Sequence, residues 1–262
     1  MFLSKKQIDD YQNLGAIIVK GVFKDWIEPL RTGFQKVLEK PSRHGRENVN
    51  SNQGRFFEDY CNWERIKEFK DCIFNSPGAQ IVAEATNSKF TQIFHDHIFI
   101  KNSGTNKETP WHQDMPYYCV NGDNTGSFWI PLDEVDKKNN LQLILGSHKW
   151  PKLIRPTKWS NDQSWYEDNS HFMDMPKIDN ADHDILIPEL NLGDAVLFNF
   201  KTVHGSTGNK TLNSRRAFSM RFIGSDVRYI DRGGPTSPPF DGINLKSGDV
   251  MREDWFPKIF SS

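Results

Sequence analysis

The sequence predicts a mainly β fold with flanking helices, a double-stranded β-helix (jelly roll) buttressed by its N-terminal segment. Three observations carry this. The hydrophobic period is helical through roughly the first third and changes to alternation at Phe90. Short β-branched or apolar runs then recur between turn signals. Neither a βαβ alternation nor an internal repeat is present, which leaves sheet packed on sheet as the architecture.

Ser4 and Gln7 have the form of a capping box, and Ile8, Tyr11 and Leu14 follow at helical spacing until Gly15 stops the run. Ala16-Ile17-Ile18-Val19-Lys20, β-branched and set between two glycines, reads as a strand. Asp25 is placed to cap a second helix, in which Trp26, Leu30, Phe34, Val37 and Leu38 recur every three or four residues until Pro41. Residues 41–56 are polar and aperiodic and read as a loop, at the surface or at the rim of a site. Helical patterns return at 63–69 and at 77–87, the second opened by proline.

From Phe90 onward, Gln92, Phe94, Asp96, Ile98 and Ile100 alternate with Ile93, His95, His97, Phe99 and Lys101, as on a strand with two unlike faces. Further strands are expected at 127–132, 141–145, 184–187, 195–200 and 215–223, separated by turns such as Asn121-Gly122-Asp123 and Leu192-Gly193-Asp194. Residues 149–182 are too long for an ordinary connection and carry Trp150, Trp159, Trp165, Tyr166, Phe172, Met173 and Met175. Such an insertion is either a lid or a layer packed on the sheet. The chain is thus read as one domain over 1–262. It has a helical flank (1–89), a jelly-roll core (90–224) with the 149–182 insertion, and a proline- and glycine-rich C-terminal wrap (225–262).

With 262 residues, 36% hydrophobic and 13% aromatic, the chain can bury a sizeable core. A net charge of -1 gives no general attraction to nucleic acid or to an anionic membrane, so a small-molecule partner is expected. Cys61, Cys72 and Cys119 match neither a disulfide framework nor a zinc ribbon and read as reduced thiols. The N-terminal residues lack the apolar centre of a signal peptide, and no apolar run approaches the ~18 residues of a membrane span. The expectation is a cytoplasmic protein. Oligomeric state is not legible.

The chemistry gathers around Thr109-Pro110-Trp111-His112-Gln113-Asp114. If this stretch is a strand, His112 and Asp114 point to one side and can offer a nitrogen and a carboxylate oxygen to one ion, with Gln113 turned away. His204, just after the apolar run Ala195-Val196-Leu197-Phe198, is the candidate third ligand. Two histidines and a carboxylate suit non-haem iron(II) and leave positions for a chelating α-keto acid and for dioxygen. Arg215, at the start of a β-rich segment, could clamp the far carboxylate of that keto acid.

Alone, His-x-Asp says little. Combined with Trp129-Ile130-Pro131-Leu132-Asp133, Leu143-Ile144-Leu145-Gly146-Ser147-His148, Gly193-Asp194, His204-Gly205-Ser206, Asn209-Lys210 and Arg215-Arg216-Ala217, the stretch resembles the phytanoyl-CoA dioxygenase family of iron(II)/2-oxoglutarate oxygenases. The resemblance spans roughly 90–224. It implies a single-domain dioxygenase that releases succinate and carbon dioxide, with His112, Asp114 and His204 on iron and Arg215 on the distal carboxylate of 2-oxoglutarate. It also implies that Gln113, Trp129 and Ser206 line the co-substrate pocket. Leu145 departs from the family's more usual proline and puts no ligand in doubt. The aspartate ligand implies hydroxylation over halogenation, since related halogenases replace it with a small residue; desaturation and epimerisation stay open.

Several readings compete. His95 and His97 form a second same-face pair, and His97 could instead touch co-substrate or substrate, or be a hydrogen-bonded core residue. Alternation groups Arg216 with Phe218, Met220 and Phe222, and Arg215 with Ala217, Ser219 and Arg221. That makes Arg221 a second cation available to an anionic substrate group, or else half of a surface salt bridge at a strand end. A cupin-type isomerase or binding protein, or a zinc hydrolase, could share the fold and a metal without using 2-oxoglutarate.

Overall fold

The longest strands carry two unlike faces; helices cover one and a second sheet covers the other. The computed structural model describes residues 1–48, 54–158, 163–179 and 181–262. Trp159 and part of the 41–56 loop lie outside these described residues.

Helix α1 (Lys5–Leu14) opens with the capping box at Ser4 and Gln7 and closes on Gly15 at φ 76°, a conformation that suits a residue without Cβ. Strand β1 (Ala16–Val19) follows. Asp25 does not cap the second helix: it sits inside a 3-10 turn, Lys24–Trp26, that runs straight into α2 (Ile27–Glu39). Burial of Ile27, Leu30, Phe34 and Val37 anchors that helix instead. The stretch expected to be a loop holds β2 (Arg46–Glu47) and leads into β3 (Phe56–Tyr60), which is buried along its whole length and therefore shows no alternation. The third helical segment is displaced from 63–69 to α3 (Lys67–Asn75), and α4 (Gly78–Thr86) follows Pro77.

The remaining strands are β4 (Phe90–Lys101), β5 (Thr109–His112), β6 (Val120–Asn121), β7 (Thr125–Pro131), β8 (Leu141–Ile144), β9 (Leu153–Ile154) and β10 (Phe172–Met173). Then come β11 (Ile185–Leu186), β12 (Ala195–Phe198), β13 (His204–Ser206), β14 (Arg215–Gly224), β15 (Arg228–Tyr229) and β16 (Lys258–Ser261). The major sheet runs β1-β12-β7-β14-β4-β3-β2, with β16 also on β4, and the minor sheet runs β11-β8-β13-β5.

Alternation on the major sheet sorts the core. Phe218, Met220 and Phe222 of β14 join Phe128, Ile130 and Leu197 against the helices. Their neighbours Ala217, Trp129, Val196 and Phe198 meet Leu141 and Leu143 of the minor sheet. Gly126 lets α4 approach: a Cβ there would lie 2.8 Å from Val82 Cγ2. On β4 the alternation holds from His95 to Lys101 and reverses at a bulge, where the register steps from Arg221↔His95 to Phe222↔Ile93. Ile93 therefore packs with Ile98 and Ile100, while Phe94 enters a separate core with Tyr118, Phe200 and Phe256. The 149–182 insertion divides its large apolar side chains: Trp150, Met173 and Met175 pack on Ile144, Ile154 and Val203, whereas Trp165 lines the central cavity. Among the described residues, no helix is long and apolar enough to cross a membrane.

Candidate metal centre and co-substrate pocket

Pairing of β5 with β13 in the minor sheet puts His112 directly opposite His204, with ring centroids 4.3 Å apart. Asp114 arrives by a different route from the one alternation suggested. Strand β5 ends at His112, and Asp114, at φ -71° and ψ -43°, opens the 3-10 turn Met115–Tyr117. That turn brings its Oδ1 to 3.7 Å from His112 Nε2 and 3.8 Å from His204 Nε2. All three ligand atoms lie within 4.8 Å of one another, the only such group of three or more His, Cys, Asp or Glu among the described residues.

Each ring is oriented from behind. His112 Nδ1–H donates to the Pro110 carbonyl at 2.8 Å and His204 Nδ1–H to that of Thr202 at 2.9 Å. A carbonyl can only accept, so each Nδ1 carries the hydrogen and each Nε2 is the atom turned toward Asp114. Burial, then the neighbouring His112, push His204 down to about 3, so it stays a neutral ligand. Burial alone would raise the Asp114 carboxyl, but the Arg221 guanidinium and the two histidines hold it well below the usual carboxylate range. Its Oδ2 accepts from Arg221 Nε at 3.1 Å and from Ser127 Oγ at 3.2 Å. One carboxylate oxygen and two imidazole nitrogens converging in a buried site are a donor set that fits iron(II).

The triad opens into a cavity of about 430 Å³ between the sheets. At one end Arg215, fully inside the protein, donates to the Asn139 carbonyl and to Ser206 Oγ at 3.4 Å, and lies 5.9 Å from the Trp129 ring centroid. Its register partner across the sheet is Lys101. Lys101 Nζ donates to Ser206 Oγ and to the Thr207 carbonyl, both at 3.1 Å, and sits 4.5 Å from the Phe56 ring centroid. Burial, then the charge of Arg215, bring Lys101 down to about 6. Two basic groups sharing one hydroxyl have the donors to receive a carboxylate. Lys101 was not singled out from sequence, although it closes the alternating face that begins at His95.

Trp129, Ser206, His97 and Arg221 line the same cavity, and Gln113 does not. Gln113 is buried elsewhere: its Nε2 donates to the Lys201 carbonyl at 2.6 Å and its Oε1 accepts from Ile154 N–H at 2.8 Å, tying the insertion to the loop before β13. His97 Nε2 lies 3.2 Å from Glu58 Oε2 on β3, a carboxylate the sequence did not bring to it. Even so, His95 and His97 belong to no three-atom ligand group among the described residues. His95 donates from Nδ1 to the Asp96 carbonyl at 3.1 Å, and its Nε2, like Nη1 of Arg221, is buried with no partner. Arg216 points to the other face and pairs with Asp133 at 2.6 Å.

Comparison with known proteins agrees with this arrangement. A sequence model of the family described as Phytanoyl-CoA dioxygenase (PhyH) matches residues 11–217. The peroxisomal phytanoyl-CoA dioxygenase of Rattus norvegicus is 25% identical over 252 residues, covering 88% of this chain and 72% of the rat protein. In fold, the chain resembles the α-ketoglutarate-dependent carbocyclase SnoK from nogalamycin biosynthesis, at TM-score 0.75 and 19% identity over 98% of this chain and 97% of that one. It also resembles the epimerase SnoN, solved in complex with Fe3+, α-ketoglutarate and nogalamycin RO, at TM-score 0.76 and 15% identity over 98% of each chain. The chain belongs to the phytanoyl-CoA dioxygenase family and is a 2-oxoglutarate-dependent non-haem iron dioxygenase, using iron(II), 2-oxoglutarate and dioxygen.

Proposed function

We propose that this enzyme hydroxylates a C–H bond of a small polar or anionic metabolite, with His112, Asp114 and His204 holding iron and Arg215 and Lys101 holding the distal carboxylate of 2-oxoglutarate. The observation that carries the reading is one cavity lined both by the triad and by the paired basic groups Arg215 and Lys101. Bound iron with 2-oxoglutarate and dioxygen supplies oxidative decarboxylation to succinate and carbon dioxide, and with it the means to break a C–H bond.

The protein's own residues position and exclude. Arg215 and Lys101 fix one end of the co-substrate, Ser206 Oγ sits between them, and the Trp129 ring packs alongside. Gln113 acts behind the site by anchoring Ile154 of the insertion. Trp165 covers the cavity from that insertion and limits water at the reacting centre. The substrate faces His95, His97, Arg221 and the rim residue Arg46. Two unpartnered polar atoms here, an acceptor on His95 and a donor on Arg221, favour a polar substrate over a hydrocarbon. Retention of Asp114 supports hydroxylation over halogenation. The three cysteines are free thiols, which supports the cytoplasm as the working compartment.

The test is succinate formation with iron(II), ascorbate and 2-oxoglutarate under air, alone and against a panel of small carboxylates, phosphates and polyols. A compound that raises succinate above the uncoupled rate and gains one oxygen atom supports the proposal. Absence of 2-oxoglutarate-dependent succinate from iron-loaded protein would overturn it.

A further inference from the structure

The two oxygens of Asp114 have separate surroundings. Oδ1 faces both histidine Nε2 atoms, at 3.7 and 3.8 Å, while Oδ2 accepts from Arg221 Nε and Ser127 Oγ. Arg221 on β14 is the register partner of Ser127 on β7, so the two donors stand side by side on the major sheet. Asp114 hangs from the end of a minor-sheet strand, and the contact is a polar strut across the sandwich at the metal centre. All three residues are buried, with Arg221 at 4% exposure.

We infer that Arg221 and Ser127 are positioning residues that reserve Oδ2, leaving Asp114 only one oxygen to give to iron and so keeping open the position needed beside the chelated co-substrate. The inference rests on the metal assignment proposed above. A carboxylate can grip a cation through one oxygen or two. A two-oxygen grip here would consume a position beyond the three that the triad fills, and with 2-oxoglutarate in two more it would leave none. Two donors fill both lone-pair sites of Oδ2, so to adopt it Asp114 would have to give up at least one of them, the buried guanidinium or the Ser127 hydroxyl. Lysine at 221 can still supply a cationic N–H, whereas methionine fills a similar volume and supplies none.

The experiment loads wild type, Arg221→Met, Arg221→Lys and Ser127→Ala anaerobically with iron(II) and 2-oxoglutarate, measures bound iron, and titrates nitric oxide while following the high-spin iron–nitrosyl EPR signal. Wild type and Arg221→Lys are expected to form the adduct at similar nitric oxide concentrations. Arg221→Met should hold iron yet need at least about tenfold more nitric oxide or give no adduct, and Ser127→Ala should shift in the same direction by about threefold. A purely structural ion pair would lower iron content without moving the titration of the iron that remains. An unchanged titration in iron-replete Arg221→Met therefore overturns the inference. Should that variant fail to fold or to hold iron, Ser127→Ala decides, and an unshifted titration there has the same force. If wild type itself holds no iron, the metal assignment is what fails, and the inference falls with it.

Discussion

Binding of 2-oxoglutarate is expected to take up a proton, because Lys101 is held near pKa 6 by burial and by Arg215. Above that pH the amine is neutral until an anion arrives. Protonating it at pH 8 costs about 2.7 kcal/mol, two pH units at ~1.36 each. A carboxylate about 4 Å away at an effective dielectric constant of about 20 returns roughly 4 kcal/mol. The gain exceeds the cost for about three units above the pKa, so binding should draw in a proton between about pH 6 and pH 9. In that window the Kd for 2-oxoglutarate should rise up to about tenfold per pH unit. Anaerobic calorimetry of the iron-loaded protein, in buffers of different ionisation heat, measures both the Kd and the protons exchanged. Lys101→Met should bind 2-oxoglutarate more weakly at low pH and lose the slope. A Kd that is flat across this window in wild type, with no proton exchanged, would refute the reasoning.

The same lysine sets a stability profile with a definite sign. The unfolded chain, with lysine near 10.4, holds a proton where the native state does not, so stability without co-substrate should increase as pH rises from about 6 to about 10. Denaturant melts across that range should show the rise, and Lys101→Met should flatten it. Gln113→Leu would strand the Ile154 N–H and the Lys201 carbonyl, lowering stability by about 2–4 kcal/mol while leaving the three ligands in place. A melt unchanged in that variant would contradict the bracing role. Gly126→Ala would drive a Cβ into Val82 of α4 and should cost about 1–3 kcal/mol, readable as a fall in the denaturation midpoint.

What the sequence reveals follows from where patterns are physically enforced. Alternation on β14 placed Arg215, Ser219 and Arg221 inside and Arg216 outside because that strand has a helix-packed face and a cavity face. His204 was legible because it follows an apolar strand, although it opens β13 and does not extend β12, and the bulge at Phe94 shows how one extra residue reverses an alternation. Asp114 was matched to His112 by strand geometry, although the turn after β5 is what delivers it. Strand β3 stayed hidden because both its faces are buried, and with it went Glu58 as the partner of His97. Lys101 was passed over because only the register against Arg215 turns a strand-end lysine into part of a carboxylate site. Gln113 shows the reverse: strand geometry turned it away from the ligands while the family resemblance implied pocket lining, and its amide braces two backbone groups behind them.

The central claim is that His112, Asp114 and His204 hold iron and that the cavity beside them receives 2-oxoglutarate. Anaerobic absorption spectroscopy tests it most directly: iron(II) is added to the protein, then 2-oxoglutarate, and the weak visible metal-to-ligand charge-transfer band is followed. Wild type should show the band, His112→Ala and His204→Ala should lose it, and Arg215→Ala should demand much higher 2-oxoglutarate. Iron-loaded wild type without a band, or a band undiminished in His112→Ala, would contradict the claim.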